Sequence, residues 1–200
     1  TPAEQLEQGL ATLGMTLPGE TQSKLLAYAA LLYKWNKTYS LTAMREQEKA
    51  VSHHLLDSLT ILPFVPGGRL LDVGSGGGFP GIVAAACMPD CAFTLIEPME
   101  RRVEWLNECV ADMELNNVTV VRARANEMIE AIAGATGAQG GNRGNGSARN
   151  GKGGKNGRGV AVRGPVLDLD GKPIQAKHPF AVVTCRAVAP MTKLSGWTLP

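Results

Sequence analysis

The order of apolar and polar residues divides the chain into a helical part followed by alternating strands and helices. Apolar side chains recur at helical spacing over residues 4–13 and 21–37, which predicts two amphipathic helices. A third helix is predicted over 46–62, with Pro63 directly after it. Its inward face is predicted to consist of Val51, His54, Leu55, Ser58 and Leu59. We expect residues 1–65 to form an N-terminal helical cap.

Shorter apolar runs alternate with helical patterns from residue 66 onward. Strands are predicted over 69–73, 92–96, 118–121 and 180–184, and helices over 80–87 and 99–113. Because strands that alternate with helices form parallel sheets with right-handed crossovers, we expect an α/β core over 66–200. A complete doubly wound sheet would need three more strands, so its C-terminal strands are expected to be missing.

A glycine-rich turn follows the first predicted strand. Residues 71–81 read Leu-Asp-Val-Gly-Ser-Gly-Gly-Gly-Phe-Pro-Gly. Glycines allow positive φ and a close approach of the backbone to a ligand, and Pro80 suits the first turn of a helix. The N–H groups at that helix start are expected to favour a carboxylate or phosphate.

The spacing of the glycines limits the classes of ligand that the turn is expected to bind. A dinucleotide fingerprint needs a glycine where this chain has Phe79, which disfavours a Rossmann dehydrogenase. The register Gly74-x-Gly76-x-Gly78, preceded by Asp72, resembles motif I of class I S-adenosylmethionine-dependent methyltransferases. A second acid, Glu97, closes the next strand, where such folds bind a ribose diol.

Composition favours a reduced, cytoplasmic protein. Four cysteines lie in or beside apolar segments without a paired framework. No apolar run is long enough to span a membrane, and the N-terminus lacks a secretory pattern. We expect no metal site and a monomer.

Basic residues are concentrated in one segment. Between residues 131 and 167 there are six Lys or Arg residues and no acid, whereas the remaining residues carry more acids than bases. The segment 134–165, rich in Gly, Arg and Lys, is predicted to be a disordered insert. It is either a solvated spacer or an arm that tethers RNA.

Several motifs together resemble the RsmG (GidB) family, the guanine-N7 methyltransferases of bacterial 16S ribosomal RNA. The matching stretches are Trp35-Asn36, Leu41-Thr42-Ala43, the motif from His54 to Leu59, the turn from Asp72 to Gly81, and Thr184-Cys185-Arg186-Ala187-Val188-Ala189. Ser40 and Ala181 depart from the family, which usually has Asn and an acid there. The resemblance implies the Rossmann-like, doubly wound fold of class I S-adenosylmethionine-dependent methyltransferases, with S-adenosyl-L-methionine as cofactor. The implied partner is 16S ribosomal RNA or the small ribosomal subunit.

The resemblance also implies which residues contact the cofactor. They are Gly74, Phe79, Asn126, Glu127 and Arg186, and Arg186 is in addition the candidate catalytic residue. The physical argument adds Asp72 and Glu97, since a carboxylate can accept both hydrogens of a ribose diol. Each has a structural alternative: Phe79 packs under the turn, Glu127 favours the start of a helix, and Arg186 forms a surface ion pair.

The chemistry implied by the family needs no general base. Guanine N7 already carries a lone pair and has no proton to lose, which fits a sequence without an obvious catalytic dyad. One alternative makes Cys185 the nucleophile of a cytosine-C5 methyltransferase. Another is a non-catalytic module that binds an adenosyl group or RNA.

Overall fold

Two long helices begin the chain in the computed structural model, which describes residues 1–125, 127 and 180–186. Helix α1 spans Pro2–Leu13, and α2 spans Gly19–Tyr39. Both extend the predicted helices by no more than two residues at either end. Ser40, the C-cap of α2, adopts a left-handed conformation with φ of 50°.

The prediction of one continuous third helix is wrong. The structure has a 3-10 turn at Gln47–Lys49, a π-helix at Val51–Leu56, a short α-helix, α3, at Asp57–Leu59, and a 3-10 turn at Leu62–Phe64. The predicted inward face is confirmed, because all five of its residues are buried. The hydrophobic period predicts which face of a helix is buried. It does not specify whether the backbone hydrogen bonds join residues three, four or five positions apart.

The second part of the chain is a four-stranded parallel sheet with crossover helices. The elements are β1 (Arg69–Val73), α4 (Gly81–Cys87), β2 (Ala92–Ile96), α5 (Glu100–Asp112), β3 (Val118–Val121) and β4 (Val182–Cys185). The first three strands have the predicted bounds, while β4 begins two residues later than predicted. The predicted α/β architecture is confirmed.

The strand order places a ligand crevice between two particular strands. The order is β3-β2-β1-β4, and every pair is parallel. Strands β2 and β3 therefore lie on one side of β1, and β4 lies on the other side, so the strand order reverses between β1 and β4. Ligands in open α/β sheets bind outside the carboxyl ends of the strands at such a switch point.

The main core lies between the sheet and the described helices. Its largest fully buried side chains include Trp105, Tyr28, Phe93 and several leucines. On α5 the fully buried residues are Trp105, Leu106 and Cys109, whereas sequence spacing favours a face built on Val103, Leu106 and Val110. The helix is rotated toward Trp105, the largest side chain available to fill the core.

A smaller apolar cluster covers the opposite face of the sheet, where Leu71, Val73 and Ile96 are buried. In the described part of the chain, no helix is long and apolar enough to cross a membrane.

Candidate cofactor-binding site

The glycine-rich turn leaves β1 in a conformation that only glycine adopts readily. The φ angles of Gly74, Gly76 and Gly78 are 69°, 53° and 100°, in the left-handed region that costs other residues a Cβ clash. The N–H groups of Gly74 and Ser75 both donate to the carbonyl of Ile96, at 2.8 and 3.1 Å. The turn is thereby attached to the carboxyl end of β2.

One side of the turn is closed by protein and the other is open. A Cβ on Gly78 would lie 2.8 Å from both Ile82 and the Tyr28 hydroxyl, and one on Gly77 would lie 3.0 Å from the Phe79 ring. At Gly76 the nearest atoms would be 3.7 Å or more away, which is ordinary contact. This less crowded side, the open side of the turn, is the one that a ligand can reach, because Gly76 is only half-buried.

Two buried aromatic side chains hold the closed side of the turn. The Tyr28 hydroxyl donates to the carbonyl of Gly77 at 2.6 Å, and the Trp105 indole N–H donates to the same oxygen at 2.9 Å. Tyr28 comes from α2 and Trp105 from α5. Sequence reasoning missed both residues, although a buried Tyr or Trp needs a partner for its polar end; finding that partner requires the tertiary structure.

Asp72 lies beneath the turn and binds protein groups. Its side chain is fully buried and accepts a hydrogen bond from the Thr184 hydroxyl at 3.0 Å and from the Gly81 N–H at 3.3 Å. Burial raises the pKa of Asp72 to about 7, against the opposing effect of these hydrogen bonds. The N–H of Gly81, expected to face a ligand, is thus occupied by Asp72. Cofactor contact by Asp72 stays a prediction.

Glu97 lies directly against the turn. One carboxylate oxygen accepts from the Gly76 N–H at 3.0 Å and the other from the Met99 N–H at 3.0 Å. The side chain is 2% exposed, so it is held beside the open glycine rather than turned into solvent. A carboxylate offers about four acceptor positions, and acceptor capacity therefore remains for a ribose diol.

Phe79 is a packing residue at the contact between cap and turn. Its ring stacks on the His54 imidazole, with centroids 4.4 Å apart and an interplanar angle of 15°. Burial, followed by the charge of Arg186, lowers the pKa of His54 to about 4, so that the stacked imidazole is neutral at pH 7. The packing alternative for Phe79 is thus present in the structure, and its cofactor contact stays a prediction.

Arg186 follows β4 and reaches across to the cap. Its guanidinium lies 3.2 Å from the Asp57 carboxylate, donates to the His53 carbonyl at 2.9 Å, and sits 5.8 Å from the Phe79 ring centroid. The ion-pair alternative is therefore also present. The position remains at the switch point between β1 and β4, beside the turn.

Of the remaining predicted residues, Asn126 lies outside the described residues. Glu127 accepts from the Arg124 backbone N–H at 2.8 Å, which is the contact that a Glu makes in the first turn of a helix. This geometry favours the structural alternative for Glu127.

Comparison with known proteins identifies the family. Residues 21–136 match the family model GidB, described as rRNA small subunit methyltransferase G. The chain belongs to this family.

Relatives named Ribosomal RNA small subunit methyltransferase G match across most of the chain. The protein from Bifidobacterium adolescentis is 48% identical over 190 residues, which cover 91% of this chain and 68% of that protein. The protein from Bifidobacterium longum is 40% identical over 200 residues, covering 96% and 72%. The protein from Methylobacillus flagellatus is 48% identical over 124 residues, covering 62% and 60%. The resemblance drawn from the sequence motifs is confirmed.

Cys185, the nucleophile of the cytosine-C5 alternative, is exposed at the end of β4. Partial burial and the nearby Asp72 raise the pKa of its thiol, whereas a nucleophilic cysteine needs a lowered one. The site of this GidB family member therefore disfavours thiolate chemistry.

Proposed function

We propose that the chain transfers the methyl group of S-adenosylmethionine to N7 of a guanine in 16S ribosomal RNA. The observation that carries the proposal is the open glycine turn with Glu97 against it, at the switch point of the sheet, in a member of the rRNA small subunit methyltransferase G family.

The residues around the turn fit this cofactor. Asp72 and Glu97 are buried, and among the described residues neither forms an ion pair with a Lys or Arg side chain. A buried carboxylate without a basic partner, as at Glu97, favours a ligand that carries positive charge. Gly76 is only half-buried, so a ligand can reach the backbone of the turn beside Glu97.

The proposed role of these residues is to position the reactants. When bound, S-adenosylmethionine supplies an electrophilic methyl group on a sulfonium. Gly74 and Gly76 would support the cofactor, Glu97 would accept hydrogen bonds from its ribose, and Asn126 and Glu127 would complete its contacts. Arg186 would orient the target base or the cofactor. Because N7 needs no deprotonation, alignment can supply a large part of the catalysis, on the order of 7–11 kcal/mol.

Methyl transfer to RNA tests the proposal. The chain is incubated with labelled S-adenosylmethionine and with small ribosomal subunits, or their naked RNA, lacking the modification, and the modified base is then mapped. We expect label at N7 of one guanine. Glu97→Gln should weaken S-adenosylhomocysteine binding at least about tenfold, the value of one lost charged hydrogen bond, while Glu104→Gln on the exposed face of α5 should not. Label at C5 of cytosine, or no label with the folded protein, would contradict the proposal.

We also propose a domain division, a cellular location and an oligomeric state. Residues 1–65 act as a helical cap and 66–200 as the methyltransferase core with an insert at 134–165. The protein works as a monomer in the cytoplasm, where ribosomal subunits are available. Sedimentation of the full chain at the mass of a dimer would contradict the monomer.

A further inference from the structure

The cap contains a motif whose role the proposed function leaves open. The sequence from His54 to Leu59 occupies the end of the π-helix and all of α3. Its apolar residues fill the core, but Asp57 is exposed and faces away from it. Isolated π-helical turns occur frequently at functional sites, and this one lies against Arg186, which donates a hydrogen bond to the carbonyl of His53.

Arg186 is held by three contacts, which come from the π-helix, from α3 and from the turn. Asp57 supplies a carboxylate, His53 supplies a backbone carbonyl from the π-helix, and Phe79 supplies the face of its ring. The two polar partners bind different nitrogens of the guanidinium, Nη1 and Nη2. A planar guanidinium held through two nitrogens and one face has a defined orientation.

We propose that Asp57 is the positioning residue for Arg186, so that the cap supplies part of the catalytic site instead of merely covering the sheet. The part of this inference that concerns methyl transfer rests on the proposed function. An exposed ion pair adds little to stability, which leaves orientation as the main consequence of the Asp57 contact. Removing the carboxylate leaves the His53 carbonyl as the sole polar partner of the guanidinium in the described residues.

The first test measures the position of Arg186 and does not depend on activity. The full chain is labelled with ¹⁵N-arginine, and the Nε–Hε signal of Arg186 is identified as the one lost in Arg186→Lys. Asp57→Asn should shift this signal and speed its exchange with water. Glu46→Gln is the matched control, since it removes a similarly exposed acid of the cap whose ion pair is with Lys49. An Arg186 signal that is the same in Asp57→Asn and in the unchanged chain would overturn the proposal.

The second test is a double-mutant cycle on methyl transfer. Asp57→Asn should lower kcat/KM about tenfold, because small misplacements of a catalytic group are costly. In an Arg186→Ala background the same change should have an effect of less than twofold, since a positioning residue has nothing left to position. Equal effects in both backgrounds would mean that Asp57 acts independently of Arg186, and would overturn the proposal.

The two tests separate the two proposals. If the unchanged chain transfers no methyl group, the proposed function fails, and the Arg186 signal still decides whether Asp57 holds the guanidinium. Unfolding midpoints of Asp57→Asn and Glu46→Gln should agree, and a large loss confined to Asp57→Asn would show a stabilising role and count against positioning.

Discussion

Single side chains around the glycine turn differ in whether they hold the turn or face its open side. Tyr28 and Trp105 share the Gly77 carbonyl, Asp72 holds the start of α4, and Glu97 holds the Gly76 N–H. Three of these contacts join residues that are 21 to 49 positions apart in the sequence. A turn held from α2, α5, β1 and β2 keeps its shape before a ligand arrives, so less of the binding free energy is spent on ordering it.

Tyr28→Phe tests whether this support matters for binding. The change removes one of two donors to Gly77, and we expect a loss of about 1–2 kcal/mol in the free energy of unfolding. It should also weaken S-adenosylhomocysteine binding several-fold in calorimetry, because the turn loses a constraint. Tyr33→Phe is the control, since that hydroxyl donates to the Glu46 carbonyl, away from the turn. Equal ligand affinity in the two variants would contradict a role for Tyr28 at the site.

Asp72 makes stability depend on pH in a defined direction. Its pKa is 3.8 ordinarily and about 7 in the folded protein, so the folded state binds the proton more tightly. The contribution of Asp72 to stability therefore falls as pH rises from about 4 to about 7 and is constant above that range. The pKa of His54 is lowered from 6.5 to about 4, which makes its contribution rise with pH from about 4 to about 6.5.

The variant Asp72→Asn separates these two effects. Denaturant unfolding between about pH 4 and pH 8 gives the free energy of unfolding at each pH. In the variant, the decrease of this free energy with pH that is due to Asp72 should be absent, and the increase that is due to His54 should remain. The amide should also cost some stability at every pH, because it has one acceptor oxygen for two donors. Asp90→Asn, which removes an exposed carboxyl in the loop before β2, is the control. A profile that is the same in Asp72→Asn and in the unchanged chain would contradict the assignment.

At the scale of elements, the C-terminal end of α2 has a backbone conformation that its residue, Ser40, does not favour. Ser40 has φ 50° and ψ 55°, a conformation that glycine and asparagine tolerate better than serine. It also presents its carbonyl to the Arg102 guanidinium, at 3.5 Å.

Ser40→Asn should stabilise the protein. We expect the free energy of unfolding to rise by about 0.5–1 kcal/mol, because the left-handed conformation becomes less costly. Ser23→Gly, within α2, provides a control with the opposite sign, since glycine is unfavourable inside a helix. Both are measured by urea unfolding, and a lower midpoint for Ser40→Asn would contradict the argument.

At the scale of the whole molecule, the folded body and the basic insert have opposite charge. The six Lys and Arg residues of the segment 131–167 stand against an excess of acids in the rest of the chain. We propose that the insert contributes attraction to RNA, because phosphate contacts by basic side chains release counterions and make binding depend on salt.

Replacing these six residues with glutamine tests the role of the insert. Binding to small-subunit RNA should weaken at low salt. The slope of log K against log salt should decrease by up to about four, the value for six phosphate contacts on single-stranded RNA. Six Gly→Ser changes in the same segment keep its charge and serve as the control. An unchanged slope would favour the spacer alternative.

By itself, the sequence determined the parts of this protein that depend on local pattern. The spacing of apolar residues predicted the first three strands and the crossover helices. The glycine-rich turn predicted backbone with positive φ, which Gly74, Gly76 and Gly78 adopt. Motif content also identified the family. The sequence alone predicts these features because each depends on residues that lie close together in the chain.

Only the tertiary structure decided what those residues touch. It assigned Asp72 to Thr184 and Gly81, brought Tyr28 and Trp105 to one carbonyl, and placed Arg186 against the cap. It also divided the predicted third helix into 3-10, π and α segments. Residues up to 133 positions apart make these contacts. Packing between the sheet and the cap determines which residues become partners, and the local sequence pattern does not predict that packing.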